Sequence, residues 1–519
     1  MAKTRTEHTP YNDKGLGLLY QDKTAIYRHR EWRGFKDTLI DYGYWLQLWG
    51  ILIGWVIKHP ITNIKALFRY RWMLNYLAAP SFFDRQVSRM KGTALKAARM
   101  NLNTIAKEAT KELDKTFEAD KNLHPNNKKA EKIIYSDELI PSILYAGFTE
   151  AKFVSAQAMP GYLPSLINQH SPVHYIEVAE SFGLPADVCS LPSLEAGLAI
   201  DDDYPKIGCC FVSTNMPCDG SIMTNTIQDR RYKLPTYVLN IPLRWKREDV
   251  QDYAVEEYRM CIDFLEKHTN EKYDWQKLKE ACECQNEISR LKMERWEMNM
   301  TDTPPLTGSS NWLYRVFSYN LKPGNQVILD NDRKVTEMFR KDLGKRAYPA
   351  KSCYRAVSWN TVSNMYPQFD NWLLDCWGIE VVCNMIDYQG TNIIDTSSKE
   401  TMLQGIAKLA QGATMRVHTK GGYEVMLDDL WVKVEEYRAD MVVMYDQISC
   451  KGVAAIKGIF EEQARARGIK MVWVEHDLMD PTVVNRRSMR DRVNQYMETV
   501  MGAKPLDPTL VDFDDSESW

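Results

Sequence analysis

The sequence predicts an α/β protein with two parallel-sheet units behind a helical N-terminal region. Three observations predict it. From about residue 131, short apolar runs alternate with helix-periodic stretches. A second block of the same texture begins near 350. Before 131, after a polar start, the patterns are helical. Strand–helix–strand alternation is the pattern of parallel sheets covered on both faces. A chain of 519 residues is also too long for one compact core. The expected units are 1–130, a helical extension, then 131–335 and 336–519, the two α/β domains.

The first thirty or so residues are polar. Residues 44–57, Y-W-L-Q-L-W-G-I-L-I-G-W-V-I, follow as an apolar helix of some fourteen residues, short of the roughly twenty that cross a bilayer. This helix reads first as buried or subunit-facing. Its second reading is an interfacial membrane helix, for which its tryptophans and the basic segment 65–73 speak, so peripheral membrane contact is a candidate. Residues 94–125 read as a charged amphipathic helix, closed by the polar linker N-L-H-P-N-N-K-K.

In the first α/β block, strands are expected at 152–155, 206–213 and 235–240. A long helical stretch covers 249–300. It holds Cys282 and Cys284, which point to different sides of a helix and read as packing residues. In the second block, strands are expected at 352–358, 378–384, 440–446 and 469–474, with a helix at 453–467.

The formal charge is −3, so no basic field advertises nucleic acid, and no nucleic-acid-binding motif is present. The start, M-A-K-T-R-T-E-H-T, lacks an apolar signal core. With an odd count of eleven cysteines, this predicts reduced thiols in a cytoplasmic protein. No C-x-x-C pair occurs, so any cluster is assembled from ligands far apart in sequence.

Three cysteines share a setting. Cys218 follows the strand 206–213 in S-T-N-M-P-C-D-G-S. Cys450 follows the strand 440–446 in Y-D-Q-I-S-C-K-G. Cys189 sits in G-L-P-A-D-V-C-S-L-P. Two of the three end a parallel strand just before a helix. That edge is where open α/β sheets bind ligands. A helix N-terminus there favours anionic sulfur. Taken singly, each also reads as an ordinary buried cysteine.

The block A-D-M-V-V-M-Y-D-Q-I-S-C-K-G, the following V-E-H-D-L-M-D-P and R-R-S-M-R-D-R-V-N-Q-Y-M-E-T-V resemble the end of the benzoyl-CoA reductase / 2-hydroxyacyl-CoA dehydratase family. So do Y-I-E-V-A-E-S-F-G-L-P-A-D-V-C at 175–189 and N-M-P-C-D-G at 215–220. The likeness covers roughly residues 131–505. It implies two flavodoxin-like domains with a [4Fe–4S] cluster between them, held by Cys189, Cys218 and Cys450, with one iron left without a cysteine. It implies an acyl-CoA thioester as substrate, a homologous cluster-bearing subunit in a homo- or heterodimer, and a separate ATP-hydrolysing iron–sulfur activator. The chain's own lack of a G-x-x-x-x-G-K-[ST] loop agrees with ATP being used elsewhere. The D-V-C and V-E-H-D-L-M-D-P stretches look closer to the ring reductases than to the dehydratases. The expected activity is dearomatising reduction of an aromatic acyl-CoA. The alternatives are 2-hydroxyacyl-CoA dehydration and a non-catalytic electron-relay subunit. Asp219, Gly220, Lys451 and Gly452 are expected to shape the cluster's surroundings.

The chain departs from the family pattern in two places. Many members carry a Pro and a Glu before an Ala-Gly near the start of the first domain; here Ser142 stands at that position and Glu138 is displaced. The N-terminal extension is also longer than the resemblance implies. Cys209 and Cys210 read as core residues on opposite sheet faces. A double-cubane cluster, which some relatives carry, is the alternative reading for them. His170 and the run Glu475-His476-Asp477 read as structural, and no catalytic acid is assigned.

Overall fold

The computed structural model describes residues 35–512, apart from 88–89, 138, 215–217, 243–247, 346–351, 389–390 and 414–421. Among the described residues, eight strands form two four-stranded sheets. The first holds β1 (Ile133–Ser136), β2 (Lys152–Ser155), β3 (Cys210–Thr214) and β4 (Thr236–Leu239) in the order β2-β1-β3-β4. The second holds β5 (Tyr354–Trp359), β6 (Ile379–Asn384), β7 (Met441–Gln447) and β8 (Lys470–His476) in the order β6-β5-β7-β8. Every pairing is parallel. Both sheets therefore share one plan, the flavodoxin-like order, and each reverses direction between its first and third strands.

Seven strands lie where the alternation predicts them. β1 does not appear in the sequence reading. It is four residues long and buried along its whole length, so it carries no period-two signal. Yet it is central, pairing Ile134 with Phe153 on one side and with Cys210 on the other.

The helix expected at 44–57 runs from Phe35 to Lys58, and that expected at 94–125 runs from Gly92 to Ala119. The stretch 249–300 is two helices, Glu248–Thr269 and Trp275–Asn299. Asn270, at φ 54°, breaks the first. Asp274 caps the second, accepting from the backbone N–H groups of Gln276 and Lys277 at 2.9 and 3.2 Å. The position 335/336 falls inside a continuous helix, Gln326–Lys341.

One apolar core joins the parts. It runs from Trp55, Trp72 and Phe117 of the N-terminal helices through Leu194 and Leu198 to Phe369, Val443 and Val474 of the second sheet. Helix Phe35–Lys58 buries Tyr44, Leu48, Leu52 and Trp55 in that core and leaves its opposite face open. Among the described residues no helix is long and apolar enough to cross a membrane.

Candidate cofactor site

The two sheets place their chemistry at equivalent points. Cys218 follows β3 and is the N-cap of helix Asp219–Tyr232. Cys450 follows β7 and is the N-cap of the single turn Lys451–Ala454. Each cysteine therefore lies beyond the carboxyl end of the third strand, at the point where strand order reverses. Cys189 is the N-cap of helix Ser190–Ile200, on the crossover into β3. All three are partly buried.

Glycines let the surrounding helices approach. A Cβ on Gly220 would lie 2.9 Å from Pro192 Cγ and 3.5 Å from Val188 Cγ1, so its absence allows the Cys218 helix to rest on the Cys189 helix. Thr224 Oγ1 donates to the Pro192 carbonyl at 2.8 Å across the same contact. Gly197 packs closer still: a Cβ there would sit 1.9 Å from the Tyr175 carbonyl oxygen.

A second set of bonds joins the first sheet's loops to the second sheet's. The buried Asp477 carboxylate, just past β8, accepts from Ser190 Oγ, beside Cys189. It also accepts from Ser449 Oγ, beside Cys450, at 3.3 Å. Gln447 Nε2 donates to it at 3.2 Å, and the backbone N–H groups of Met479 and Asp480 donate at 3.0 and 2.9 Å. At the surface, Lys451 pairs with Asp187 at 2.7 Å, two residues before Cys189. Asn364 Nδ2 donates to Ser165 Oγ at 3.1 Å, a third bridge between the units.

The sulfurs share one electrostatic environment. Burial first, and then the Asp477 carboxylate, push the Cys189 thiol well above its ordinary range, with Cys218 and Cys450 adding to the rise. Burial also raises the Cys450 thiol, and Cys218 and Asp446 add to it. Backbone N–H groups act in the opposite sense: Leu191 donates to Cys189, and Val453 and Gly452 donate to Cys450. Gln447 Nε2 lies 3.8 Å from Cys189 Sγ. Donors aimed at sulfur are what an anionic thiolate or cluster requires.

Among the described residues, no three His, Cys, Asp or Glu side chains converge closely enough to share one metal ion. A cubane takes its cysteines one per iron, at separate corners, so its sulfurs stand farther apart than the ligands of a single ion. The donor set fits the larger group: three thiols on helix caps, N–H groups directed at sulfur, and loops braced from both sheets.

The remaining expectations divide. Lys451 pairs with Asp187, and Gly220 lies against Pro192 and Val188. Gly452 has nothing within 4 Å of the position of a Cβ, so no close contact requires a glycine there. The Asp219 side chain and Glu138 lie outside the described residues. Ser142 begins the short helical turn after β1, buried, its hydroxyl without a hydrogen-bond partner among the described residues. His170 lies in the turn before helix Val173–Phe182, its backbone N–H held by Asn168 Oδ1 at 3.0 Å.

Cys209 and Cys210 do not take opposite faces. Their sulfurs lie 3.8 Å apart and both pack against the core under the first sheet. Alternation fails because Cys209 precedes the strand, just after Gly208 at φ 110°. They also stand at the start of β3, whereas Cys218 follows its other end; the strand between is about 13 Å long at ~3.3 Å per residue. The sequence reading passed over Gln447, Ser190 and Ser449, and read Asp477 as structural. The signal for them was adjacency: two flank the capping cysteines, and Gln447 ends the strand before Cys450.

Fold and site together define a two-domain α/β protein with thiols at the junction of its sheets. The family described as 2-hydroxyglutaryl-CoA dehydratase, D-component, matches residues 146–500, more than half of the chain, and the chain belongs to that family. It is accordingly a subunit of the acyl-CoA dehydratase and reductase type. No curated protein matches the chain.

Proposed function

We propose that the chain is the iron–sulfur subunit of an ATP-activated, low-potential acyl-CoA reductase of the benzoyl-CoA reductase type. Cys189, Cys218 and Cys450 are the cluster ligands in this reading. The observation that supports it is three helix-capping cysteines whose thiols feel one another's charge, with Asp477 bracing the loops of two of them. When bound, a [4Fe–4S] cluster supplies single electrons at low potential. The chain's own part is to hold and tune it. Asp477 fixes the Cys189 and Cys450 loops. Gln447 and the backbone N–H groups of Leu191, Gly452 and Val453 offset negative charge on sulfur. Cys189 and Cys450 pack against apolar clusters, and the lower polarity there strengthens these interactions.

Ser142 supports ring reduction over dehydration. It stands where many relatives of this type carry a carboxylate, and a hydroxyl does not ionise to serve as a base at neutral pH. The second reading, a 2-hydroxyacyl-CoA dehydratase subunit, is favoured by the description of the matching family. A homologous partner subunit and a separate ATP-hydrolysing activator belong to both readings.

The test is turnover. The purified chain, with its partner and activator, is supplied with benzoyl-CoA and, separately, with a 2-hydroxyacyl-CoA under reducing, anaerobic conditions. A cyclic dienoyl-CoA product from the first supports the reading. An enoyl-CoA from the second establishes the alternative. Reduction of the chain with no turnover of either assigns it an electron-relay role.

A further inference from the structure

Helix Phe35–Lys58 carries two apolar faces, and the fold uses only one. The open face bears Leu39, Gly43, Leu46, Gly50, Ile53 and Ile57. Their spacing alternates four and three residues, the seam spacing of paired helices. Leu39, Leu46, Ile53 and Ile57 are 56, 60, 51 and 68 % exposed. Past the helix, Ile61 and Phe68 are also exposed, at 71 and 88 %.

The glycines say what kind of surface this is. Gly43, Gly50 and Gly54 have nothing within 4 Å of the position of a Cβ, and none has a left-handed φ. Neither packing among the described residues nor backbone conformation requires them. Glycine is among the poorest helix formers, and three in one exposed face weaken the helix. Small residues on an open helix face let a second helix backbone come close.

We infer that this face pairs with the same face of a second copy of the chain, the two helices running antiparallel about a two-fold axis at Gly50. This arrangement sets large against small. Leu46 of one copy meets Gly54 of the other, and Gly43 meets Ile57. A closed two-fold contact requires this self-complementarity. Asp37, in the first turn, falls toward the carboxyl end of the opposing helix, near the exposed Lys65; Lys58 there already pairs with Asp114 of its own chain. The approach of Asp37 to Lys65 suits the antiparallel direction and the two helix dipoles. A bilayer surface fits less well. Interfacial helices carry a basic polar face, whereas here the opposite face is buried in protein and no exposed charge lies between Asp37 and Lys58. The contact lies outside residues 146–500 and does not depend on the cofactor reading.

Sedimentation velocity of the full chain, anaerobic and across a concentration series, tests the pairing. The expected result is a dimer whose dissociation constant rises at least tenfold in Gly50→Leu and in Leu46→Glu. The thermal unfolding of the Gly50→Leu monomer should stay intact, since leucine is the better helix former. Oxidative crosslinking reads the direction: Gly50→Cys chains crosslink to one another, as do Leu46→Cys chains mixed with Gly54→Cys chains, each above the background of the native cysteines. A chain that stays monomeric overturns the inference. So does a dimer indifferent to Gly50→Leu, or a monomer that binds anionic phospholipid vesicles through these same residues.

Discussion

The side-chain amide of Gln447 lies 3.8 Å from Cys189 Sγ and 3.2 Å from the Asp477 carboxylate, so one residue of the second sheet addresses a thiol of the first. The carboxylate fixes which end of the amide points inward, since only the NH₂ group can approach it favourably. An N–H donor at sulfur stabilises the more negative, reduced state of a cluster. Gln447→Leu is therefore expected to make the cluster harder to reduce. For an interaction of about 1 kcal/mol, the one-electron potential falls by roughly 40 mV. Potentiometric EPR titration of the two proteins measures the shift. An unchanged or raised potential contradicts this role.

Asp477 is the link between the cysteine loops. Asp477→Ala removes the carboxylate that accepts from Ser190, Ser449 and the Asp480 backbone N–H in a buried site, while the Met479 N–H keeps Ser190 Oγ. The expected cost is about 3 kcal/mol, with Asp477→Asn milder because it retains one acceptor oxygen. Denaturant unfolding measures the stability. Iron loss to a chelator, faster in the alanine variant, reports the loosening of the loops.

Three glycines near the cysteines should rank in severity. Gly197→Ala sets a methyl 1.9 Å from a backbone carbonyl that cannot move without its helix, and is expected to cost about 3 kcal/mol or to abolish folding. Gly220→Ala meets the Pro192 ring at 2.9 Å and is expected to cost about 1–2 kcal/mol while shifting Cys218 relative to Cys189. Gly452→Ala meets nothing and is expected to leave stability unchanged. Thermal unfolding of the three variants gives the order. Equal effects at Gly452 and Gly220 contradict the packing described.

The His476 ring is wholly buried, edge-on to Tyr445 with ring centres 5.5 Å apart. Burial lowers it to about 4, outweighing nearby backbone carbonyls and the Asp477 and Asp446 carboxylates, which act to raise it. An unfolded histidine titrates near 6.5. Between these values the unfolded chain binds a proton that the folded chain refuses, so stability falls as pH drops through that window. The loss reaches a few kcal/mol by about pH 4. His476→Gln is expected to flatten the slope of unfolding free energy between pH 6.5 and 4. An unchanged slope assigns the effect to other groups.

Local pattern carried much of this fold. β7 and β8 are continuous apolar runs bounded by turns, and Cys450 reads as a strand-ending cysteine from ten residues of sequence. Cys218 reads the same way. β1 escaped because four buried residues carry no period, and with it went the strand that creates the first sheet's switch point. The break at Asn270 escaped because charged helical periodicity continues on both sides of it. The partners of the cysteines escaped for a different reason. Ser190 and Asp477 are 287 residues apart, and Gln447 and Cys189 are 258 apart. Bonds of that range leave no trace in periodicity or spacing. Helix Phe35–Lys58 read as buried or subunit-facing, and periodicity could not tell the buried stripe from the exposed one because both are apolar.

The central claim is that Cys189, Cys218 and Cys450 hold one iron–sulfur cluster. Iron and acid-labile sulfide content, with EPR, on anaerobically purified protein beside a Cys218→Ala variant tests it most directly. The account predicts about four iron and four sulfide per chain, a [4Fe–4S] signal on reduction, and loss of both in the variant. Full iron content in Cys218→Ala, or no iron in the native chain after anaerobic reconstitution, contradicts it.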